Sequence, residues 1–156
     1  MHPSISTLVR STCYPPLKDA SNVAEYPEVE GMRKRLFWFD HEHAEAGQDG
    51  DSDNLMATSH SNDFEVKITA ALVSHLVKQG TYRSQDIAVL TPYLGQLRKL
   101  RQELGQTFVV VVGERDHSEM EAFEHGEDVS TQSAQQPSKT TLLNSIRIAT
   151  VDNFPR

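Results

Sequence analysis

The chain has a single cysteine, Cys13, and a single tryptophan, Trp38. One thiol excludes an internal disulfide framework and offers no cysteine-based zinc site. Long apolar runs are missing as well. The longest, Phe108 to Val112 and Ile87 to Leu90, fall far short of the roughly 20 residues that span a bilayer. The first residues, MHPSISTLVR, hold no basic segment followed by an apolar run, so no secretory signal is read there. With 37% hydrophobic residues over 156 positions, the composition fits one domain that leaves part of its length unpacked. These absences point to a soluble protein inside the cell, nuclear or cytoplasmic.

Positive charge is scarce, and the formal net charge is −7. Its distribution qualifies that number. Residues 40–54 contain six acids and no Lys or Arg, and residues 113–143 contain seven acids and two bases. The rest carries 13 bases against 9 acids. Acidity is therefore concentrated where packing is least expected, and the remainder permits a phosphate-bearing partner.

What is present reads as alternating helix and strand. Pro3 and Ser4 open a helix over 3–13, with Ile5, Leu8 and Val9 on one face, and Tyr14-Pro15-Pro16 ends it. Arg35–Asp40 (RLFWFD) has strand preference, and residues 41–60 read as an acidic solvated loop. Asn62 caps a helix to Gln79, with Glu65 in capping-box position; Phe64, Ile68, Ala71, Leu72, His75 and Leu76 share a face, and Gly80 stops it. Asp86–Leu90 is an apolar run suited to a strand buried on both sides. Leu94, Leu97, Leu100 and Leu104 mark the next helical face, opposite Arg98, Lys99, Arg101 and Gln102. Thr107–Val112 and Ile146–Val151 are further strands, and the acidic, Ser/Gln-rich residues 114–143 read as a mobile insertion. The pattern indicates an α/β fold with a mainly parallel sheet and helices on both faces.

Ligands of such sheets meet the loops at the carboxyl ends of strands. Two loops stand out: Thr91-Pro92-Tyr93 and Val151-Asp152-Asn153-Phe154. Thr91 is placed as a helix N-cap with Pro92 at the first helical position, so free amides and the positive end of the helix dipole meet the strand tip. Tyr93 adds an aromatic face, and Gln96 lies one turn along. A plain, well-capped strand-to-helix turn gives the same spacing.

The residues TPYLGQLRKL resemble the T-P-Y-x-x-Q segment of superfamily 1B helicases, the group that contains the nonsense-mediated-decay helicase. MHPSI resembles the end of that group's Q-Y-R-M-H-P-x-I motif, and RIATVDNF resembles the start of its motif V. Asn62 and Glu65 match the N-x-x-E that opens the intervening helix. Four segments recur in the family's order, from Met1 to Phe154. Within the group, MHPSIS, GMRKRLFWFDHEH and TVDNF are most similar to the NFX-type zinc-finger helicases linked to RNA silencing and antiviral defence. The resemblance implies the second RecA-like domain of a P-loop NTPase-type helicase, which packs against a first RecA-like domain, with ATP and Mg2+ in the cleft between them. It implies that Thr91, Pro92, Tyr93, Gln96 and Thr150 line a track for single-stranded RNA or DNA, and that Asp152 sits between track and ATP cleft.

The departures carry their own expectation. There is no G-x-x-x-x-G-K-[S/T] and no Walker B acidic pair, and the resemblance breaks off at Pro155-Arg156, where the family has Gln-Gly. The Q-Y-R before Met1 and the arginine finger beyond motif V are also missing, which reads as truncation at both ends. No ATP turnover is expected from this chain alone, and no bound cofactor or metal. A non-catalytic scaffold of the same fold, binding proteins in an RNA-silencing assembly, is the alternative, supported by the two acidic stretches. Lesser constellations point elsewhere. His41 and His43 read as a charged strand exit, and Asp49, Asp51 and Asp53 miss the calcium-loop pattern at Asn54 and His60. Cys13 reads as a small buried hydrophobe, His75 as a satisfied core or edge histidine, and Phe37, Trp38 and Phe39 as core residues of a strand.

Overall fold

The computed structural model describes residues 1–45, 60–124 and 145–154. The chain forms two compact units, Met1–Glu42 and His43–Arg156. Among the described residues no helix is long and apolar enough to cross a membrane.

The first unit is built on α1, Pro3–Thr12, and a short 3-10 helix, Ser21–Glu25. His2 is the N-cap, its ring accepting from the Ser4 amide, with Pro3 at the first helical position. The expected apolar face does not organise this unit: Leu8 is exposed, and the buried residue of α1 is Ser6. Ser6 Oγ donates to Asp19 at 2.7 Å, and Arg10 reaches Asp19 at 3.1 Å and the Leu17 carbonyl at 3.2 Å. Hydrogen bonding thus ties the helix to the chain that follows it. The Ser6 hydroxyl above all, with Arg10 beside it, holds the Asp19 carboxyl below its ordinary range.

Two further expectations fail in this unit. Residues 35–40 form no strand, and Phe37, Trp38 and Phe39 are exposed, Trp38 to 83%. A strand needs a neighbour for its backbone groups, and none among the described residues pairs with this segment. The Arg35 guanidinium instead donates to the carbonyls of Tyr26 and Pro27. Cys13 is exposed, not buried, because it caps the end of α1 where the helix runs out.

The second unit holds α2 (Asp63–Lys78), a 3-10 turn (Ser84–Asp86), β1 (Ala88–Thr91), α3 (Leu94–Gly105), β2 (Val109–Val112), α4 (Glu114–Glu124) and β3 (Ser145–Thr150). The sheet is parallel with order β1-β3-β2, which confirms the α/β fold. Each strand is reached through a helix or a longer connection, as parallel pairing requires. The leucine face of α3 packs as its spacing predicts: Leu97, Leu100 and Leu104 are buried, each contributing about 2 kcal/mol. Leu97 and Leu104 join Val73, Met120, Ile146 and Ile148 in one cluster.

That cluster gathers α2, α3 and α4 on the sheet face that carries Val89, Val110, Ile146 and Ile148. Burial on both faces, expected of every strand, holds for β3 except at Arg147. The outer strands alternate instead: Ala88, Leu90 and Val109, on the opposite face, are exposed. There the Arg147 guanidinium lies 5.9 Å from the centre of the Phe154 ring.

α2 begins and ends as expected. Asn62 accepts from the amides of Phe64 and Glu65, and Gly80 takes a positive φ of 80° just past the C-cap, Gln79. Its buried face differs: Val66 and Val73 are buried, whereas Ala71, Leu72 and His75 are exposed. The helix is apolar on two sides, and its attachment at Asn62 decides which side turns inward. Asn62, Val66 and Val73 follow one another at helical spacing. The expected insertion at 114–143 also begins differently, since residues 114–124 are α4; residues 125–143, like the acidic residues 46–59, lie outside the described residues. Acidic Glu114 and Asp116 in its first turn suit the positive end of a helix.

Leu97→Ala is expected to lower the free energy of unfolding by about 3 kcal/mol, read from urea denaturation followed by far-UV circular dichroism. The lowered pKa of Asp19 has a defined sign. Stability from its ionised form is fully present above the ordinary carboxylate range and lost as pH falls through the lower, folded value. Asp19→Asn is therefore expected to reduce stability at neutral pH and to flatten its acid dependence, measured as Tm between about pH 2 and pH 7.

Candidate nucleic-acid interface

Strand register brings the two singled-out loops together. Thr91, the last residue of β1, stands opposite Thr150, the last residue of β3. The Val151 amide then donates to the Thr91 carbonyl at 3.1 Å, extending the pairing past both strand ends. Both threonines are buried. Pro92, Tyr93, Val151 and Asp152, which follow them, are exposed. The tip therefore has a buried frame and an exposed rim.

The cap of α3 is a correction. Thr91 belongs to β1, and the N-cap is Tyr93, whose side chain makes no capping bond. Thr91 contributes one step earlier: its hydroxyl oxygen accepts from the Tyr93 amide at 3.3 Å. Pairing to Thr150 keeps Thr91 extended, so the helix begins at Leu94 instead of Pro92. The Tyr93 ring packs against His60 with centroids 4.7 Å apart and planes tilted by 40°. His60 Nδ1 lies 2.6 Å from a carboxylate oxygen of Glu45.

Gln96 is buried, and its amide is engaged within the chain. Its Oε1 accepts from the Asn62 amide at 2.8 Å, and its Nε2 donates to the Asn62 carbonyl at 3.4 Å and to Glu65 at 3.3 Å. In a capping box Glu65 would itself reach back to the Asn62 amide. Here Gln96 of α3 takes that amide and passes a hydrogen bond on to Glu65. Asn62 also donates to the His43 carbonyl at 2.8 Å, and the His43 ring stacks on Phe64 with centroids 3.6 Å apart. Asp63 beside it pairs with Lys99 at 2.7 Å. The start of α2 is thus fastened to the first turns of α3.

Thr150 is held from the other side by a residue that sequence reasoning passed over. Asp116 of α4 has no exposed surface. Its carboxylate accepts from the Thr150 amide at 3.0 Å, the Thr150 hydroxyl at 2.6 Å and the Asn153 side-chain amide at 2.8 Å. Nothing in the sequence marks Asp116 among the seven acids of residues 113–143. His60 was equally hidden, inside a stretch read as solvated loop. The charged groups drawn to the tip by these contacts are Glu45, Asp116 and Glu119, the last 3.5 Å from Asn153. Among the described residues no group of three or more His, Cys, Asp or Glu side chains is arranged to hold a metal ion.

A parallel α/β sheet with paired loops at its strand ends defines the class, an α/β domain whose ligands are met at the strand tips. The chain belongs to the family described as AAA domain, which it matches over residues 1–155. It is similar to an NFX1-type zinc finger-containing protein 1 homolog of Caenorhabditis elegans, 36% identical over 101 residues, or 65% of this chain and 4% of that protein. It is also similar to the NFX1-type zinc finger-containing protein 1 of Mus musculus, 31% identical over 103 residues, and of Homo sapiens, 30% identical over 103 residues. Each of these matches covers 65% of the chain and 5% of the relative. The chain therefore spans about a twentieth of the length of these curated relatives. No solved structure matches it. It is a helicase-type AAA domain resembling the NFX-type helicases.

Gln96→Ala strips the Asn62 amide of its partner in a buried place. The expected cost is roughly 1–3 kcal/mol, measured by chemical denaturation. Backbone amide exchange is expected to quicken at Asn62 and across the first turn of α2, and to stay slow in β3.

Proposed function

We propose that the β1–β3 tip is one corner of a track for single-stranded nucleic acid in an ATP-dependent helicase. The observation that supports this reading most is the register that sets Thr91 against Thr150, joining two segments far apart in sequence into one corner. Pro92 and Tyr93 meet the strand, and Tyr93 with His60 offers an aromatic surface on which a base stacks without regard to sequence. Thr91, Gln96 and Thr150 belong to the same binding corner and act mainly by fixing the rim, since their polar groups are engaged inside it. Asp152, exposed at the turn after β3, faces the ATP cleft and couples it to the track.

The sequence contains no phosphate-cradling G-x-x-x-x-G-K-[S/T], so ATP and Mg2+ belong to the assembled helicase, with this chain supplying one wall of the cleft. The nucleic acid is held by stacking and by backbone contacts that ignore base identity. A second reading, a protein-binding scaffold, draws support from the acidic Glu45, Glu119 and Asp152 at the tip, which repel phosphate and attract a basic partner.

The two readings separate on one measurement. Fluorescence anisotropy with a labelled single-stranded oligonucleotide is expected to show weak binding by the 156-residue chain that falls further as salt rises. Tyr93→Ala is expected to weaken it about tenfold, the effect of losing one stacked base. Binding that is indifferent to Tyr93 favours the scaffold. ATP turnover by the purified chain contradicts the division of labour set out above.

A further inference from the structure

We propose that Asp116 is a positioning residue that latches the turn after β3, and that nucleic-acid binding at the tip depends on this latch; the second half rests on the function proposed above. Three observations converge on it. The carboxylate is fully buried, and none of the Lys or Arg ion pairs among the described residues involves it. A buried, unpaired carboxylate is costly unless its oxygens are filled by hydrogen bonds. All three of its bonds go to one short segment: Thr150 gives its amide and its hydroxyl, and Asn153 gives its side-chain amide.

The choice of partners is informative. Asp116 lies in the first turn of α4, where an acidic side chain ordinarily serves its own helix end. Here its oxygens are turned onto the tip of the central strand. A carboxylate is an acceptor on both oxygens, so one side chain can satisfy three donors that a hydroxyl or an amide would satisfy only in part. With the Val151 amide on Thr91 and the Asn153 amide on the Thr150 carbonyl, the turn is fixed on both flanks. Val151 and Asp152 alone are left projecting to solvent. α4 carries the latch at a fixed height because Met120, one turn along, is packed in the main core.

The test compares three substitutions in the full chain: Asp116→Ala, Asp116→Asn and Met120→Ala. The last opens the core beneath the same helix without touching the latch. Amide exchange at Thr150 is expected to accelerate on the order of a hundredfold in Asp116→Ala, with exchange at Ile146 little changed. In Asp116→Asn it accelerates less, because a side-chain amide keeps one acceptor and can be matched by a flip of Asn153. Met120→Ala raises Thr150 and Ile146 together, the pattern of general destabilisation. Affinity for a labelled oligouridylate is expected to drop on the order of tenfold in Asp116→Ala and less in Asp116→Asn, and to survive in Met120→Ala under conditions where it stays folded. Unchanged Thr150 exchange in Asp116→Ala, exchange that tracks Met120→Ala, or tighter oligonucleotide binding overturns the proposal. If the unsubstituted chain binds no oligonucleotide, the function proposed for the tip fails, and the exchange comparison still decides whether Asp116 is a latch.

Discussion

Parallel pairing of β1 with β3 is the constraint from which the rest of the second unit follows. A slip of one residue would exchange the faces of a strand, putting Leu90 toward the helices and Val89 outside. The core forbids it, because Val89 and Ile148 are needed on the same side to meet α3. Packing of a few apolar side chains therefore sets Thr91 opposite Thr150, and with them the location of both loops. The tip is assembled as a by-product of the core, which is why its frame is buried and its rim is not.

The second constraint is local and polar. Gln96 does not lie free at the end of the sheet. It takes over the reciprocal half of a capping box that Asn62 and Glu65 would otherwise close between themselves. A helix start fastened to another helix in this way has a defined rotation, and α2 accordingly buries Val66 and Val73. Residues of the T-P-Y-x-x-Q segment thus do two jobs at once, with Tyr93 on the surface and Gln96 in the interior.

Much of this was legible in the residues. The leucines of α3, the asparagine cap of α2, the glycine that ends it and the three β-branched strands are local signals, and local signals survive in the folded chain. The faces were less legible. α2 is apolar on two sides, and periodicity alone picks the richer one, Ile68-Leu72-Leu76, whereas Asn62 and Gln96 select the other. The run Leu36-Phe-Trp-Phe has the composition of a strand but pairs with no strand among the described residues, and pairing is not written in composition. Of the candidate site, both loops could be named from their place after strands and from the T-P-Y-x-x-Q and motif V resemblances, whereas the cap assigned to Thr91 misplaces the helix start. Asp116 and His60 were illegible because their roles are made by contacts to distant residues: three donors after β3 for one, the Tyr93 ring for the other.

The isolation of Trp38 has a consequence of another kind. The sole indole of the protein stands in the first unit, 83% open to water, and is not a member of the apolar cluster built on α3 and β3. An indole this open to water is expected to emit as a hydrated chromophore in the native state. The same property makes it a clean optical reporter for anything that comes to cover residues 36–39.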